Sequence, residues 1–257
     1  MRRVGVVGAA GKMGTAAIAA IRSAGDLELT AIVTRDGGLR LDGAARSASV
    51  EELDPGAVDV LVDLTVAEVA RRTIAWACEH GTDAVIGTSG LTDGDLAEAA
   101  SAARASRILV VPNFSIGAVL LTRFAVQAAG YFDSVEIIEL HHDRKRDAPS
   151  GTSIATASAL AAARRARGMP DLSDPTVSQT IPGSRGAAGP GGVRVHSVRL
   201  PGLLAHQEVH FGSPGEGLVL RHDSYDRASF MPGLVLALRR IDRIAGVQVG
   251  LEHVLDE

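Results

Sequence analysis

The chain has 257 residues, 46% hydrophobic and 22% charged, with a formal net charge of −4. These are globular values for one large domain or two modest ones, and they exclude a disordered chain, which carries fewer apolar residues and more net charge. There is no basic block, and no apolar run approaches the roughly 18 to 20 residues that cross a bilayer, so neither nucleic acid nor a membrane is an expected partner.

Residues 3–8 (RVGVVG) are a short apolar run ending in glycine, and residues 12–24 carry alanines and isoleucines at helical spacing: strand, glycine turn, helix. Residues 27–34 alternate and are rich in β-branched side chains, which predicts a second strand. A polar stretch runs to about Ser49, and 58–65 is a near-continuous apolar strand before a helical pattern over 68–80. Strand and turn follow at 83–90, an alanine-rich helix at 92–105 and a strand at 107–114. This alternation predicts a parallel sheet covered on both faces.

The pattern then changes. A helix is predicted over 116–130, a strand over 134–142, and a helix over 151–168 after a charged loop. Residues 170–192 are rich in proline and glycine without periodicity, and so long a structureless loop is often functional. Residues 193–224 read as a mostly antiparallel β-meander, followed by a helix over 228–244 and a final apolar segment. The expected fold is α/β: a Rossmann-type doubly wound parallel sheet plus a second α+β domain with a mixed, mostly antiparallel open sheet. Residues 1–113 would form the dinucleotide-binding domain, with 228–257 packing back on it. Residues 114–227 would form the substrate-binding and oligomerisation domain.

The first motif is Gly8-Ala9-Ala10-Gly11-Lys12-Met13-Gly14, after the first strand and opening a helix. A glycine turn there lets the backbone approach a pyrophosphate, and the helix start supplies free N–H groups and partial positive charge. At the end of the second strand an acidic residue would bind the adenosine ribose, whereas arginine accommodates a 2′-phosphate. The chain has Thr34-Arg35-Asp36. Arg35, with help from Lys12, predicts NADPH; Asp36 within reach of the ribose leaves NADH open.

The second motif is residues 139–152, ELHHDRKRDAPSGT. His141 and His142 are neighbours at a strand end, so their rings point to opposite faces and are badly placed to share a metal. No metal is expected. One imidazole can instead face a cleft and donate a proton near neutral pH. Of 26 basic residues only Lys12 and Lys145 are lysine. Lys145 can act as a point charge for a carboxylate or as a proton donor, a task for which arginine is poorly suited. Ser150 is a natural helix cap, and the first turn at Gly151 and Thr152 offers unpaired N–H groups without bulk, a seat for a carboxylate.

Together these segments resemble the dihydrodipicolinate reductase family, the 4-hydroxy-tetrahydrodipicolinate reductases of lysine and diaminopimelate biosynthesis. The resemblance spans nearly the whole chain and is greatest to compact, actinobacterial-type members. It rests on GAAGKMG, GTSG (87–90), VPNFSIG (111–117), the 139–152 signature, PGSRG (182–186), AHQEVHFG (205–212) and RHDSYDR (221–227). It implies His141 as proton donor and Lys145 as the second catalytic group. It also implies that His142, Lys145, Ser150, Gly151 and Thr152 hold the two substrate carboxylates. Gly87, Thr88 and Ser89, with Val111, Pro112, Asn113 and Phe114, would line the nicotinamide side, and Phe114 to Gly117 would be a hinge. A cytoplasmic homotetramer is implied as well, and single Cys78 agrees with a reducing compartment. The chain departs from many members at Thr34, Val66-Ala67 and Ser89, none of them in the proposed acid or substrate loop. The residues leave open a paralogue reducing another cyclic imine, and a non-catalytic NADPH-binding sensor.

Overall fold

A computed structural model describes residues 1–35 and 38–256. In chain order the main elements are β1 (Arg2–Val7), α1 (Lys12–Ser23), β2 (Leu27–Val33), β3 (Ala45–Ser47), β4 (Val60–Asp63), α2 (Ala67–His80), β5 (Asp83–Ile86), α3 (Asp93–Ala102) and β6 (Ile108–Val110). They continue with α4 (Ile116–Ala128), β7 (Ser134–His141), α5 (Gly151–Ala166), β8 (Ala187–Ala188), β9 (Arg194–Arg199), β10 (Ala205–Ser213), β11 (Glu216–Ser224), α6 (Met231–Arg240) and β12 (Val247–Val249). The chain divides into two compact units, Met1–Ile116 with Arg227–Glu257, and Gly117–Asp226.

The first unit is built on a sheet with the order β12-β6-β5-β4-β1-β2-β3, and every pairing in it is parallel. This is the doubly wound arrangement, whose order reverses between β1 and β4 and opens a crevice at the strand ends. β4 is buried at every position, as expected of a strand covered on both faces. Helix α3 starts at a capping box in which Thr92 and Asp95 each bond the other's backbone.

The second unit holds a sheet ordered β11-β10-β7-β9-β8. β7 pairs parallel with β9, while β7 with β10, β10 with β11 and β8 with β9 are antiparallel. One face packs on α4 and α5 through Val135, Ile137, Val209 and Phe211 against Leu121, Ala125, Ala157 and Leu160. On β7 the alternation places Glu139 and His141 on that same face, beyond Val135 and Ile137.

The structure departs from expectation in four places. The polar stretch before Ser49 contains β3, three residues that add an edge strand to β2. Residues 193–224 are not a simple meander: β7, with its apolar alternation, takes the centre between β9 and β10. The region 170–192 is largely pinned rather than structureless. Leu172 N–H donates to Gly191 O at 2.9 Å, and Asp174 meets Arg185 at 3.3 Å and Arg194 at 2.8 Å. The helix predicted over 228–244 is α6 flanked by two short 3₁₀ turns.

Candidate active site

The glycine loop of the first unit is shaped by close backbone approach. Gly8 has φ +84°, a conformation L side chains rarely adopt. A Cβ on Gly14 would lie 2.2 Å from Gly8 O and 2.9 Å from Ala9 Cα, so the loop closes only over glycine. Gly8 N–H and Ala9 N–H donate to Val33 O at 3.0 and 3.3 Å, tying the loop to β2. Gly11 caps α1 without a side-chain bond, so the first-turn amides, Lys12 and Met13 among them, have no intrahelical partner.

Beside the loop lies a cavity of about 640 Å³, whose lining includes Gly8, Ala10, Gly11, Thr34, Arg35, Val69 and Arg72. It lies at the strand-order reversal and is large enough for part of a dinucleotide. A glycine turn, a bare helix start and a cation in the cavity lining fit such a cofactor. Of the sequence-predicted loop residues, Gly8, Ala10 and Gly11 line the cavity, whereas Ala9 and Gly14 are buried and Lys12 and Met13 lie outside its lining. Asp36 lies outside the described residues.

The second predicted cofactor group is brought together by β5 and β6. A Cβ on Gly87 would lie 2.6 Å from the Phe114 ring, and Val111 N–H donates to Ile86 O at 2.8 Å. Phe114 and Thr88 are buried, whereas Ser89 and Pro112 are exposed. Asn113 Oδ1 accepts from Ser115 N–H at 2.9 Å. Thr88 turns its hydroxyl inward to Asp63, at 3.4 Å. Asp63 is wholly buried at the end of β4 and also accepts from Thr65 N–H at 2.9 Å and the Thr73 hydroxyl at 2.6 Å, while its carbonyl takes Gly87 N–H at 2.7 Å. Asp63 thus ties together the turns that follow β4 and β5, and sequence reasoning assigned it no part.

In the second unit the signature loop leaves β7 and enters α5, with a cis Ala148–Pro149 peptide before the helix. Ser150 caps α5: its Oγ accepts from Ser153 N–H at 3.2 Å, and its carbonyl takes Ile154 N–H at 3.1 Å. The amides of Gly151 and Thr152 are then those for which the helix offers no partner. Both residues are exposed, and a Cβ on Gly151 would meet no atom within 4 Å. Lys145 Nζ donates to both carboxylate oxygens of Asp147 at 2.8 Å. His142 Nδ1 is buried without a hydrogen-bond partner among the described residues.

His141 bonds through Nδ1 to Glu139. Glu139 is wholly buried and takes two further N–H groups from Arg199, at 2.9 and 2.7 Å, and one from Ser150 N at 3.2 Å. Burial pushes its carboxyl up, but hydrogen bonds from His141, Arg199 and Ser197 hold it down to about 2. Arg199 Nη2 also donates to Asp147 O at 2.8 Å. One carboxylate therefore touches both His141 and the start of α5, and Arg199 links it to the loop carrying Lys145. Sequence reasoning missed Glu139, Arg199 and Asp147. Glu139 had a signal, an acidic residue on the inward face of an apolar strand. Arg199 had none, standing sixty positions away from Glu139.

The family model described as dihydrodipicolinate reductase, N-terminus, matches residues 2–114, and that for the C-terminus matches 117–255. The 4-hydroxy-tetrahydrodipicolinate reductase of Nocardia farcinica is 48% identical over 99% of this chain and 98% of its own. That of Lactococcus lactis subsp. cremoris is 46% identical over 99% and 97%. The chain belongs to the dihydrodipicolinate reductase family. It is accordingly an oxidoreductase dependent on a pyridine nucleotide. The dipicolinate-bound dihydrodipicolinate reductase of Paenisporosarcina sp. TG-14 superposes with a TM-score of 0.90 at 38% identity, over 99% of this chain and all of that one. A probable dehydrogenase from Thermotoga maritima, at 13% identity and a TM-score of 0.63, shares the fold alone. No helix among the described residues is long and apolar enough to cross a membrane.

Proposed function

We propose that the protein reduces 4-hydroxy-tetrahydrodipicolinate to tetrahydrodipicolinate with NADPH in lysine and diaminopimelate biosynthesis, using His141 as proton donor and Lys145 as second catalytic group. The observation that carries the reading is the meeting of His141 and the α5 start on one carboxylate, Glu139. Net, the substrate gains a hydride at ring carbon 4 and a proton, loses its hydroxyl as water, and NADP⁺ is released. A reduced nicotinamide, when bound, supplies the hydride.

The chain's own residues do the rest. Lys145 and the Gly151 and Thr152 amides hold the two negative carboxylates, with His142 and Ser150 beside them. His141 delivers a proton to the conjugated enamine as hydride arrival raises its electron density. In the first unit Gly8, Gly11 and the α1 start hold the pyrophosphate, with Lys12 beside them and Ala9, Ala10, Met13 and Gly14 shaping the turn. The turns at Gly87–Ser89 and Val111–Phe114 receive the nicotinamide side. Arg35 in the cavity lining supports the choice of NADPH. The same reading carries a cytoplasmic homotetramer, which light scattering on the purified protein measures.

The test is a steady-state assay on the substrate made in situ, with NADPH and with NADH. The wild type is expected to oxidise NADPH only when the substrate is present. Loss of a general acid lowers rate by about 10²- to 10⁴-fold, so His141→Ala should lower kcat by that factor and change KM little. Unchanged kcat removes His141 from the chemistry, and no turnover by the wild type overturns the reading.

A further inference from the structure

Glu139 has no part in the chemistry above, yet it is the most heavily bonded carboxylate of the second unit and is wholly buried. We propose that Glu139 is a positioning residue for the proton donor: it holds the His141 ring with Nδ1 protonated, so that Nε2 is the atom that releases the proton. This rests on the function proposed for His141.

The strand period places the two side chains on one face of β7, two residues apart. An ionised carboxylate only accepts hydrogen bonds, so the nitrogen facing it carries the hydrogen. Nε2 is then the position at which the ring gains and loses its second proton. Glu139 is itself fixed. Arg199 donates to both of its oxygens, at 2.9 and 2.7 Å, and Ser150 N–H to one at 3.2 Å, so it cannot turn away from the ring.

Arg199 explains why the carboxylate does not take the proton for itself. A lone buried carboxylate is driven towards its neutral form. Paired with a guanidinium that stays charged, it keeps its negative charge whether the imidazole is cationic or neutral. When His141 gives up its proton, a compensated Glu139–Arg199 pair is left, not an isolated buried charge. The same carboxylate holds the Ser150 amide, and Arg199 holds Asp147 O at 2.8 Å. The distance from the proton donor to the α5 start is thus set by one rigid node.

The experiment compares Glu139→Gln, His141→Ala and the double variant with the wild type in the NADPH assay. Glu139→Gln is expected to lower kcat about 100-fold, within the range for losing a general acid, with KM for substrate and NADPH within about threefold. In the His141→Ala background the same substitution should cost no more than about twofold, because its effect passes through the ring. A kcat within threefold of wild type, or a full further loss in the double variant, overturns the proposal. Should Glu139→Gln fail to fold, Glu139→Asp keeps the charge and withdraws it by one methylene. It should bind at wild-type KM with kcat lowered about tenfold, and unchanged kcat overturns the proposal.

The nitrogen-15 spectrum of histidine-labelled wild-type protein reads the ring directly. Recorded at a pH where the ring is neutral, the spectrum is expected to show the Nδ1-protonated tautomer of His141, and the neutral tautomer protonated at Nε2 overturns the proposal whatever the substrate. A flat Glu139→Gln response beside an active wild type and an impaired His141→Ala sinks this inference alone. No turnover by the wild type sinks the function and leaves the spectrum to judge Glu139.

Discussion

Gly151→Ala separates a role in folding from a role in binding. At this position φ is outside the left-handed region, and an added Cβ meets no atom within 4 Å. Neither the backbone nor the packing requires glycine. Replacing it with alanine narrows the unfolded ensemble and should stabilise the fold by about 0.4 to 1 kcal/mol, a rise in Tm of about 1 to 4 °C. The methyl group would stand beside the Gly151 and Thr152 amides that are proposed to hold a substrate carboxylate. A hydrogen bond to a charged group contributes about 1.5 to 3 kcal/mol, so displacing one should raise KM for the substrate about 10- to 150-fold. KM for NADPH should not change. The assay is initial-rate NADPH oxidation at varied substrate, beside a thermal melt. Gly14→Ala is the internal contrast. There the Cβ would lie 2.2 Å from Gly8 O, so that variant should lose about 1 to 3 kcal/mol of stability together with cofactor binding. A stabilised Gly151→Ala protein with unchanged substrate KM would refute the carboxylate seat at the start of α5.

Three further outcomes are expected. Arg35→Ala should lower kcat/KM for NADPH by about 10- to 100-fold, one charge-assisted contact to the 2′-phosphate, and leave NADH unchanged; an unaltered NADPH-to-NADH ratio removes Arg35 from cofactor choice. Asp147→Asn frees Lys145 from an exposed carboxylate that occupies it, and surface ion pairs contribute about 0.2 to 1 kcal/mol, so substrate KM should fall about 1.5- to 5-fold; a rise would show that Asp147 orients Lys145 for binding. Glu139, held down to about 2 from an ordinary 4.5, contributes stability that is present above about pH 4.5 and lost as pH falls towards 2. Urea unfolding across that window should show the wild type losing up to about 3 kcal/mol more than Glu139→Gln, and parallel curves would contradict the assignment.

Much of the first unit was legible because strands buried on both faces, such as β4, read as continuous apolar runs. β3 was not, because three residues on a sheet edge need no apolar pattern to pair with β2. Strand order in the second sheet was not legible either. Residues 193–224 announce strands and turns, but nothing local says that β7, from an earlier stretch, takes the place between β9 and β10. That insertion brings Arg199 opposite His141 and Gln207 opposite Glu139. The non-local order therefore builds the polar end of the sheet. The two motifs were legible for the opposite reason: a glycine turn and a capped helix start are local devices, complete within a few residues.

The overlooked groups share a physical signature. Each unit places a wholly buried carboxylate on a strand at the centre of its sheet, near the end from which the loops leave: Asp63 on β4 and Glu139 on β7. A buried carboxylate without partners is strongly unfavourable, so its presence in an apolar strand implies donors arriving from elsewhere in the fold. The donors differ in kind. Asp63 gathers a hydroxyl and an amide from the turns it organises and the Thr73 hydroxyl from α2, and hydroxyls rotate to suit a changed acceptor. Glu139 meets a guanidinium fork, an imidazole and a helix-cap amide, whose geometry is fixed by their own elements. The first arrangement suits turns that are proposed to fit around a bound cofactor. The second suits the proposed proton donor, which must keep one ring orientation, and it puts the more exacting constraint in the unit proposed to hold the substrate.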